Sequence, residues 1–337
     1  MSGQPLAGGP FADLAATAVL GAVGPGGVPS LALLGEACAL GAAIVWAAAL
    51  VLFRTSGLSI APIALNLFKN TIGLALLAAT LLLTGESFAP PPNAGAHDVW
   101  ILAISGVLGI ALADSLFFAG LNRVGVGIIS VVDCTYTPFV IGFSWLLIGE
   151  QLQLYHYAGM ALILGGVLLA TGHAPPAGAT RRQLWAGVLF GVAAMASMAL
   201  AIVMVKPVLE RTPLFWATFV RLAAGHVSLL LIAMCLPSRR KSLSVFRPTV
   251  AWQTAIPGAV LGTYLSLLLW VAGFKFASAS VAAVLNQTSV IFAILLATLT
   301  LGERLTRRKA AAAALAFGGV ALVTAYPYLR EALASDS

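Results

Sequence analysis

The sequence predicts an all-α integral membrane protein whose ten transmembrane helices form two inverted five-helix repeats. Three observations lead there. Of the 337 residues, 60% are hydrophobic and 9% are charged, against roughly 25% charged in a soluble domain. A water-soluble core of this size has no room for so much apolar side chain, and the apolar runs are long enough to cross ~30 Å of hydrocarbon. The chain also repeats itself. Ile128–Glu150 (IISVVDCTYTPFVIGFSWLLIGE) returns as Val281–Glu303 (VAAVLNQTSVIFAILLATLTLGE), and subtracting Glu150 from Glu303 gives an offset of 153 residues. The match extends back to Ala119-Gly120 against Ala272-Gly273, and on to Ala161–Leu169 against Ala314–Leu322. Lastly, each copy holds five apolar runs, an odd number, so the second copy enters the bilayer from the opposite side.

Residues 1–30 surround a 13-residue apolar run, Phe11–Val23, with Gly and Pro clusters. The run is too short to span and no Lys or Arg precedes Arg54, so a flexible or interfacial tail is expected. Repeat one, residues 31–172, holds Leu31–Phe53, Pro62–Leu83, Val99–Leu121, Gly127–Leu147 and Leu154–Thr171. A Pro-rich linker, residues 173–183, follows. Repeat two, residues 184–326, holds Leu184–Val205, Leu214–Leu236, Ala255–Phe274, Ala279–Leu301 and Ala310–Ala325, and residues 327–337 form a C-terminal tail. Lipid offers no partners to backbone amides, so each span must be a helix.

The basic excess, 18 Lys and Arg over 11 Asp and Glu, reports orientation here and not nucleic-acid binding. Connections after the odd-numbered spans carry 12 bases (Arg54, Arg123, Arg181, Arg182, Arg239, Arg240, Lys241, Arg247, Arg304, Arg307, Arg308, Lys309). The other face carries 4 (Lys206, Arg211, Lys275, Arg330). The positive-inside rule therefore places both termini outside the cytoplasm. Cys38, Cys134 and Cys235 lie far apart in apolar runs and suggest neither disulfides nor a metal site.

Each fourth span ends in L-x-x-G-E-x-L (Leu146–Leu152, Leu299–Leu305) and each fifth carries G-G-V (Gly165–Val167, Gly318–Val320). Spans one and six open on Gly35 and Gly187 and close on Arg54 and Lys206, and spans two and seven each contain a base, Lys69 and Arg221. In these features the chain resembles EamA-type transporters of the drug/metabolite transporter superfamily, over roughly Gly35–Ala325. The resemblance implies export of amino acids or other small metabolites, a bacterial cytoplasmic membrane, and termini on the cytoplasmic side, against the charge count. The proline often found midway along the fourth span is Pro138 in repeat one but Ile291 in repeat two, so the sequence offers a proline kink in one half alone.

A charge at mid-bilayer costs at least ~2.5–3.5 kcal/mol, so charges inside spans mark candidate sites. Lys69 shares a helix side with Asn66, Asn70 and Gly73; Arg221, at an offset of 152, shares one with Thr218, Gly225 and Ser228. The two bases either flank a central cavity and hold a carboxylate or phosphate, or pair with acids on neighbouring spans. Asp133, with Ser130, Tyr136 and Thr137 at helical spacing, has Asn286 as its repeat-mate, followed by Gln287. An acid opposite an amide suits asymmetric recognition of an ammonium. Asp133 and Asp114 are the candidate proton carriers, although a fixed ion pair is the better reading of Asp114. Tyr136 and Tyr264 are candidate substrate contacts, and His226 reads as structural. Pro138 removes a backbone hydrogen bond next to Asp133 and so frees carbonyls that either line a cavity or mark a packing kink.

These residues point to a secondary transporter of a small molecule, with a midplane site between the repeats, possible proton coupling, no cofactor and no enzymatic activity. The chain contains no Walker A motif, so a gradient supplies the energy. The alternatives are an intramembrane aspartyl-type hydrolase using Asp114 and Asp133, or an accessory membrane protein that moves nothing. The sequence is silent on oligomeric state.

Overall fold

The computed structural model describes residues 29–148, 154–171, 180–235, 237, 239–276, 282, 285–302 and 305–335, which hold helices and loops with no strand. The first repeat contributes α1 (Pro29–Ser56), α2 (Pro62–Thr84), α3 (Ala96–Gly106), α4 (Asp114–Asp133), α5 (Tyr136–Ile148) and α6 (Leu154–Thr171). The second contributes α7 (Arg181–Arg211), α8 (Leu214–Cys235), the short α9 (Arg239–Leu243), α10 (Trp252–Ala259), α11 (Leu267–Phe276), α12 (Ser289–Thr300) and α13 (Arg307–Ser335). Six described stretches are long and apolar enough to cross a membrane, and shorter apolar helices accompany them.

Local chemistry sets several boundaries. Pro62 opens α2 and Gly85 closes it in the left-handed region, φ 72°, the usual division of labour between the two residues. The 38-residue run Ala96–Asp133 would be ~57 Å long if continuous, nearly twice the hydrocarbon thickness. Gly125 interrupts it at φ 77°, a turn open to glycine at little cost. The predicted fourth span is discontinuous as well: α4 stops at Asp133, Cys134 and Thr135 turn, and α5 resumes at Tyr136.

Two expected boundaries move. The segment assigned to the linker already enters α7 at Arg181, because Thr180 and Gln183 form a capping box. The C-terminal tail is helical through Ser335, continuing α13. The N-terminal tail, residues 1–28, and the linker from 172 to 179 lie outside the described residues, as do Glu150 and Glu303.

The halves interlock by exchange. Helix α1 packs against α10, α11 and α12 of the second repeat, while α7 packs against α3, α4 and α5 of the first; α2 pairs with α8, and α6 with α13. The G-G-V motif has a direct structural cause in that last pair. A Cβ on Gly166 would sit 2.8 Å from Ala312 O, and one on its repeat-mate Gly319 would sit 2.6 Å from Gly159 O. Ala312 and Gly159 are themselves related by the offset of 153, so each glycine admits the other helix's backbone at the same depth.

Helix ends are stapled in a matched way. Arg54 at the end of α1 donates to Leu121 O (3.0 Å) and Asn122 O (2.9 Å). Lys275, the repeat-mate of Asn122, donates to Leu209 O (3.2 Å) and Thr212 O (2.5 Å) at the end of α7. On the α7 face Arg211 pairs with Asp98 at the start of α3, and the Gly85–Gly95 strap lies over α8 through Trp216 Nε1 to Phe88 O at 3.2 Å. In this strap, burial pushes the Glu86 carboxyl above the ordinary glutamate range, opposed by the Trp216 backbone N–H and the Lys275 charge.

Replacing Gly166 or Gly319 with Leu forces α6 and α13 apart and is expected to cost about 1–3 kcal/mol or more, read as a lower thermal midpoint of the purified protein. The raised Glu86 value means that the folded state binds its proton more tightly than the unfolded chain does. Acidification toward the ordinary glutamate range is therefore expected to stabilise the fold through this residue. Comparing thermal midpoints of wild type and Glu86→Gln isolates the effect: the variant should gain less on acidification.

Candidate functional site

The site begins with Lys69. Its Nζ lies 2.7 Å from Asp114 Oδ2 and 2.9 Å from Asn70 Oδ1, buried on α2. Asn70 Nδ2 donates to Asn66 Oδ1 at 2.9 Å, and Asn66 Nδ2 reaches Ile110 O (2.9 Å), Ala111 O (3.4 Å) and Ser115 Oγ (3.0 Å). Those carbonyls belong to a π-helical segment, Val107–Ala113, inserted between α3 and α4. A π register widens the turn and displaces backbone partners, and the Asn66 amide takes up two of the exposed acceptors.

The second repeat holds a π segment at Val260–Ser266, between α10 and α11, which is the first one shifted by 153. Each is gripped by the base-bearing helix of the other half. A Cβ on Gly225, four residues after Arg221, would lie 2.8 Å from Ile110 Cβ; one on Gly73, four residues after Lys69, would lie 2.6 Å from Thr263 Cγ2. Glycine is required at both crossings.

Thr135 and Thr288, another matched pair, break the next helix in each half. Thr135 Oγ1 donates to Val132 O at 2.7 Å and Thr288 Oγ1 to Leu285 O at 2.5 Å. The hydroxyls compete with the backbone ladder, so the break recurs where Ile291 replaces proline. The absence of a second proline does not remove the second kink.

Between these elements lies a cavity with about 130 Å³ open to the centres of water molecules. Its walls are made of repeat-mates: Trp46 and Met198, Lys69 and Arg221, Asp114 and Leu267, Phe117 and Trp270, Asp133 and Asn286, with Ile110 and Ala113 facing Thr263 and Ser266. A cavity lined by both members of each pair sits on the axis that relates the halves. Arg221 is 2% exposed; its Nε donates to Ser105 Oγ at 2.9 Å and its guanidinium lies 5.9 Å from the Trp270 ring. No carboxylate pairs with it among the described residues. Tyr136 Oη, Thr263 Oγ1 and Gln287 Oε1 line the same cavity, buried and without hydrogen-bond partners among the described residues. Orphaned polar atoms of this kind call for a ligand or water.

Residues 33–172 and again 185–325 match the EamA-like transporter family. The chain belongs to that family. An uncharacterised transporter of Archaeoglobus fulgidus is 26% identical over 208 residues, 62% of this chain and 69% of the relative. An uncharacterised transporter of Bacillus subtilis is 29% identical over 161 residues, 47% of this chain, which spans about half (51%) of that relative. A crystal structure with a TM-score of 0.63 and 22% identity covers 88% of this chain and 97% of its own, so the two share a fold. Together these make the protein a multi-pass membrane transporter and point away from an enzyme.

Of the residues singled out from sequence, this EamA-like chain brings Lys69, Asn70, Asp114, Asp133, Tyr136, Arg221, Asn286 and Gln287 to one cavity wall. Asn66 stands behind that wall, bonded to the π segment. Tyr264 is a correction: it is not among the lining residues, and its hydroxyl bonds Thr80 Oγ1 at 2.6 Å. A tyrosine within a π segment points wherever the wide turn aims it, which helical spacing does not reveal. His226 also lies off the cavity, and its Nδ1 is buried without a hydrogen-bond partner among the described residues. Sequence reasoning missed Met195, Met198, Thr263 and Ser266. The last three are repeat-mates of Trp46, Ile110 and Ala113, uncharged positions that do not stand out within an apolar run.

Asn66→Leu leaves the Ile110 and Ala111 carbonyls without that donor and is expected to destabilise the protein by about 1–3 kcal/mol. Ser115→Ala removes the bonds of its part-buried hydroxyl to Asn66 Nδ2 and Ala111 O but leaves Asn66 on the Ile110 carbonyl, and should cost less. Thermal unfolding of the two variants in detergent orders them.

Proposed function

We propose that the chain is an ATP-independent exporter of small zwitterionic or anionic metabolites, amino acids among them, in a bacterial cytoplasmic membrane. It works by alternating access, with ten helices in two inverted repeats around one central site. The observation that carries this reading is the Arg221 guanidinium, buried in the cavity with no carboxylate paired to it among the described residues. A buried cation without a counter-ion is costly, and a planar guanidinium pairs well with a carboxylate, often bidentately. Asp133, which has no base among the described residues, supplies the opposite pole for an ammonium. Tyr136, Thr263 and Gln287 offer neutral hydrogen bonds, and Trp46, Phe117 and Trp270 offer apolar wall. Lys69 and Asp114 cancel each other and demand nothing of the ligand.

The inverted arrangement is supported by the helix ends. Ends of α1 and α4's first segment meet through Arg54, ends of α7 and α11 meet through Lys275, and Asp98 at the start of α3 meets Arg211 at the end of α7. Spans one and six then run in opposite directions. The hydrolase reading loses its dyad, because Asp114 is held by Lys69 and does not share a proton with Asp133.

Counterflow of labelled amino acids and related metabolites into proteoliposomes tests the proposal. Arg221→Ala is expected to weaken substrate binding about 10-fold to 100-fold, the worth of a charged hydrogen bond, with the protein still monodisperse. Lys69→Ala should fail differently, by about 3–5 kcal/mol of stability, because Asp114 is left buried and unpaired. Undiminished exchange in Arg221→Ala would refute the assignment of the site.

A further inference from the structure

Beside the main cavity lies a second, narrower niche that shares Trp46, Phe117 and Asp133 with it. Its other polar members are Ser130 and Ser289, each 3% exposed, and its remaining walls are Leu50, Val290 and Ala293. Ser130 Oγ is buried with no hydrogen-bond partner among the described residues. The niche has no room for a water molecule. Ser130 and Asp133 end the helical turn before the Thr135 break, and Ser289 follows the Thr288 break of the other half. The niche therefore sits where both interrupted helices meet, and it joins the Asp133 carboxylate to an orphaned hydroxyl.

We propose that this niche is a proton site: Asp133 takes up a proton from the main cavity and holds it against Ser130, with Ser289 closing the pocket. The proposal deepens the transport reading and rests on it for its use. Protonation turns a carboxylate, an acceptor only, into a group with one O–H donor. In this structure the Asp133 carboxylate is not hydrogen-bonded to Ser130 Oγ, so the new O–H reaches that hydroxyl only after the carboxyl group turns into the niche, a pocket lined mostly by hydrocarbon. On release, the proton returns to the cavity and the hydroxyl hydrogen of Ser130 becomes available to the carboxylate.

The surroundings favour Asp133 over Asp114 for this role. Across the cavity Lys69 and Asp114 pair with each other, and Arg221 donates to Ser105. Cys134 and Tyr136 follow Asp133 on its own strand of chain, α7 contributes Met195 and Met198, and α1 contributes Trp46. From the second repeat come the uncharged Asn286 and Gln287, whose Nε2 reaches the Asp133 backbone oxygen at 3.5 Å. No base is bonded to the carboxylate among the described residues. A metal cation fits poorly: hard cations take about six oxygen ligands, whereas the niche offers the oxygens of three side chains among apolar walls.

Infrared difference spectroscopy on the purified full-length protein, stepped between alkaline and acidic buffer without substrate or gradient, tests the site. A protonated-carboxyl C=O band is expected to appear on acidification, to be lost in Asp133→Asn, to persist in Asp114→Asn and to shift in Ser130→Ala. Exchanging sodium for a large organic cation should leave it unchanged. A band that survives Asp133→Asn, does not move in Ser130→Ala, or disappears with sodium overturns the proposal. If Asp133→Asn does not fold, the Ser130→Ala shift alone decides. Because nothing is transported in this measurement, a protein that exchanges metabolites but lacks the band refutes the niche and spares the transport reading, and the converse result does the opposite.

Discussion

Hydrocarbon supplies no hydrogen bonds, so every polar atom inside the span must find its partner within the protein or face the one place that is wet. Most of the buried polar groups here obey the first alternative. Lys69 and Asp114 neutralise each other, Asn66 serves the exposed carbonyls of the π segment, and Arg54 and Lys275 close helix ends. Among the described residues, Arg221 without an acid, Asp133 without a base, and the unpartnered oxygens of Tyr136, Thr263 and Gln287 line one cavity, while Ser130, Thr137 and His226 hold unpartnered atoms elsewhere. The cavity on the axis between the two repeats is thus the place where the two unpaired charges and three of these atoms come together.

The same axis organises the soft parts of the scaffold. Each half contains a seven-residue π segment, at Val107–Ala113 and Val260–Ser266, and a threonine break, at Thr135 and Thr288. A regular helix resists bending because its hydrogen bonds are consecutive, and kinks need a local cause such as these. Placing two such causes next to the cavity in each half gives the walls somewhere to flex without unpicking the helices outside. The glycines at 73 and 225 then tie each π segment to the base-bearing helix of the other half, so a change of register in one segment is felt where the opposite base is held.

Hydrophobicity and duplication made the architecture legible, because lipid imposes a length and the copied stretch imposes an offset. The bases and acids of the site were legible for the same reason: a charge in an apolar run is conspicuous. Less visible were features that depend on backbone register. Nothing in VLGIALA or VLGTYLS announces a π turn, so the sequence offers Tyr264 as a contact on its aromatic, polar-tipped side chain alone and does not mark Thr263 or Ser266. The proline at 138 drew attention to a kink that the neighbouring threonines produce in both halves. Met198 carries no chemical flag, and only its relation to Trp46 across the duplication identifies it.

The departures from symmetry matter as much as the symmetry. If the halves were identical, exchanging their conformations would give a second state of equal energy facing the other side of the membrane. The sequence has moved away from identity at Asp114 against Leu267 and Asp133 against Asn286, and at the helix ends. The junction of α3 and α7 is held by Asp98 and Arg211, whereas the equivalent junction of α10 and α1 is held by the hydroxyls of Ser56 and Thr254 at 2.8 Å. Arg211 is 52% exposed and Asp98 7%, so water screens the pair from the arginine side and its contribution is on the order of 1 kcal/mol. A bias of ~1 kcal/mol favours one state about 5-fold. That is enough to set a resting orientation, and little enough that the differential binding of a substrate or a proton can reverse it.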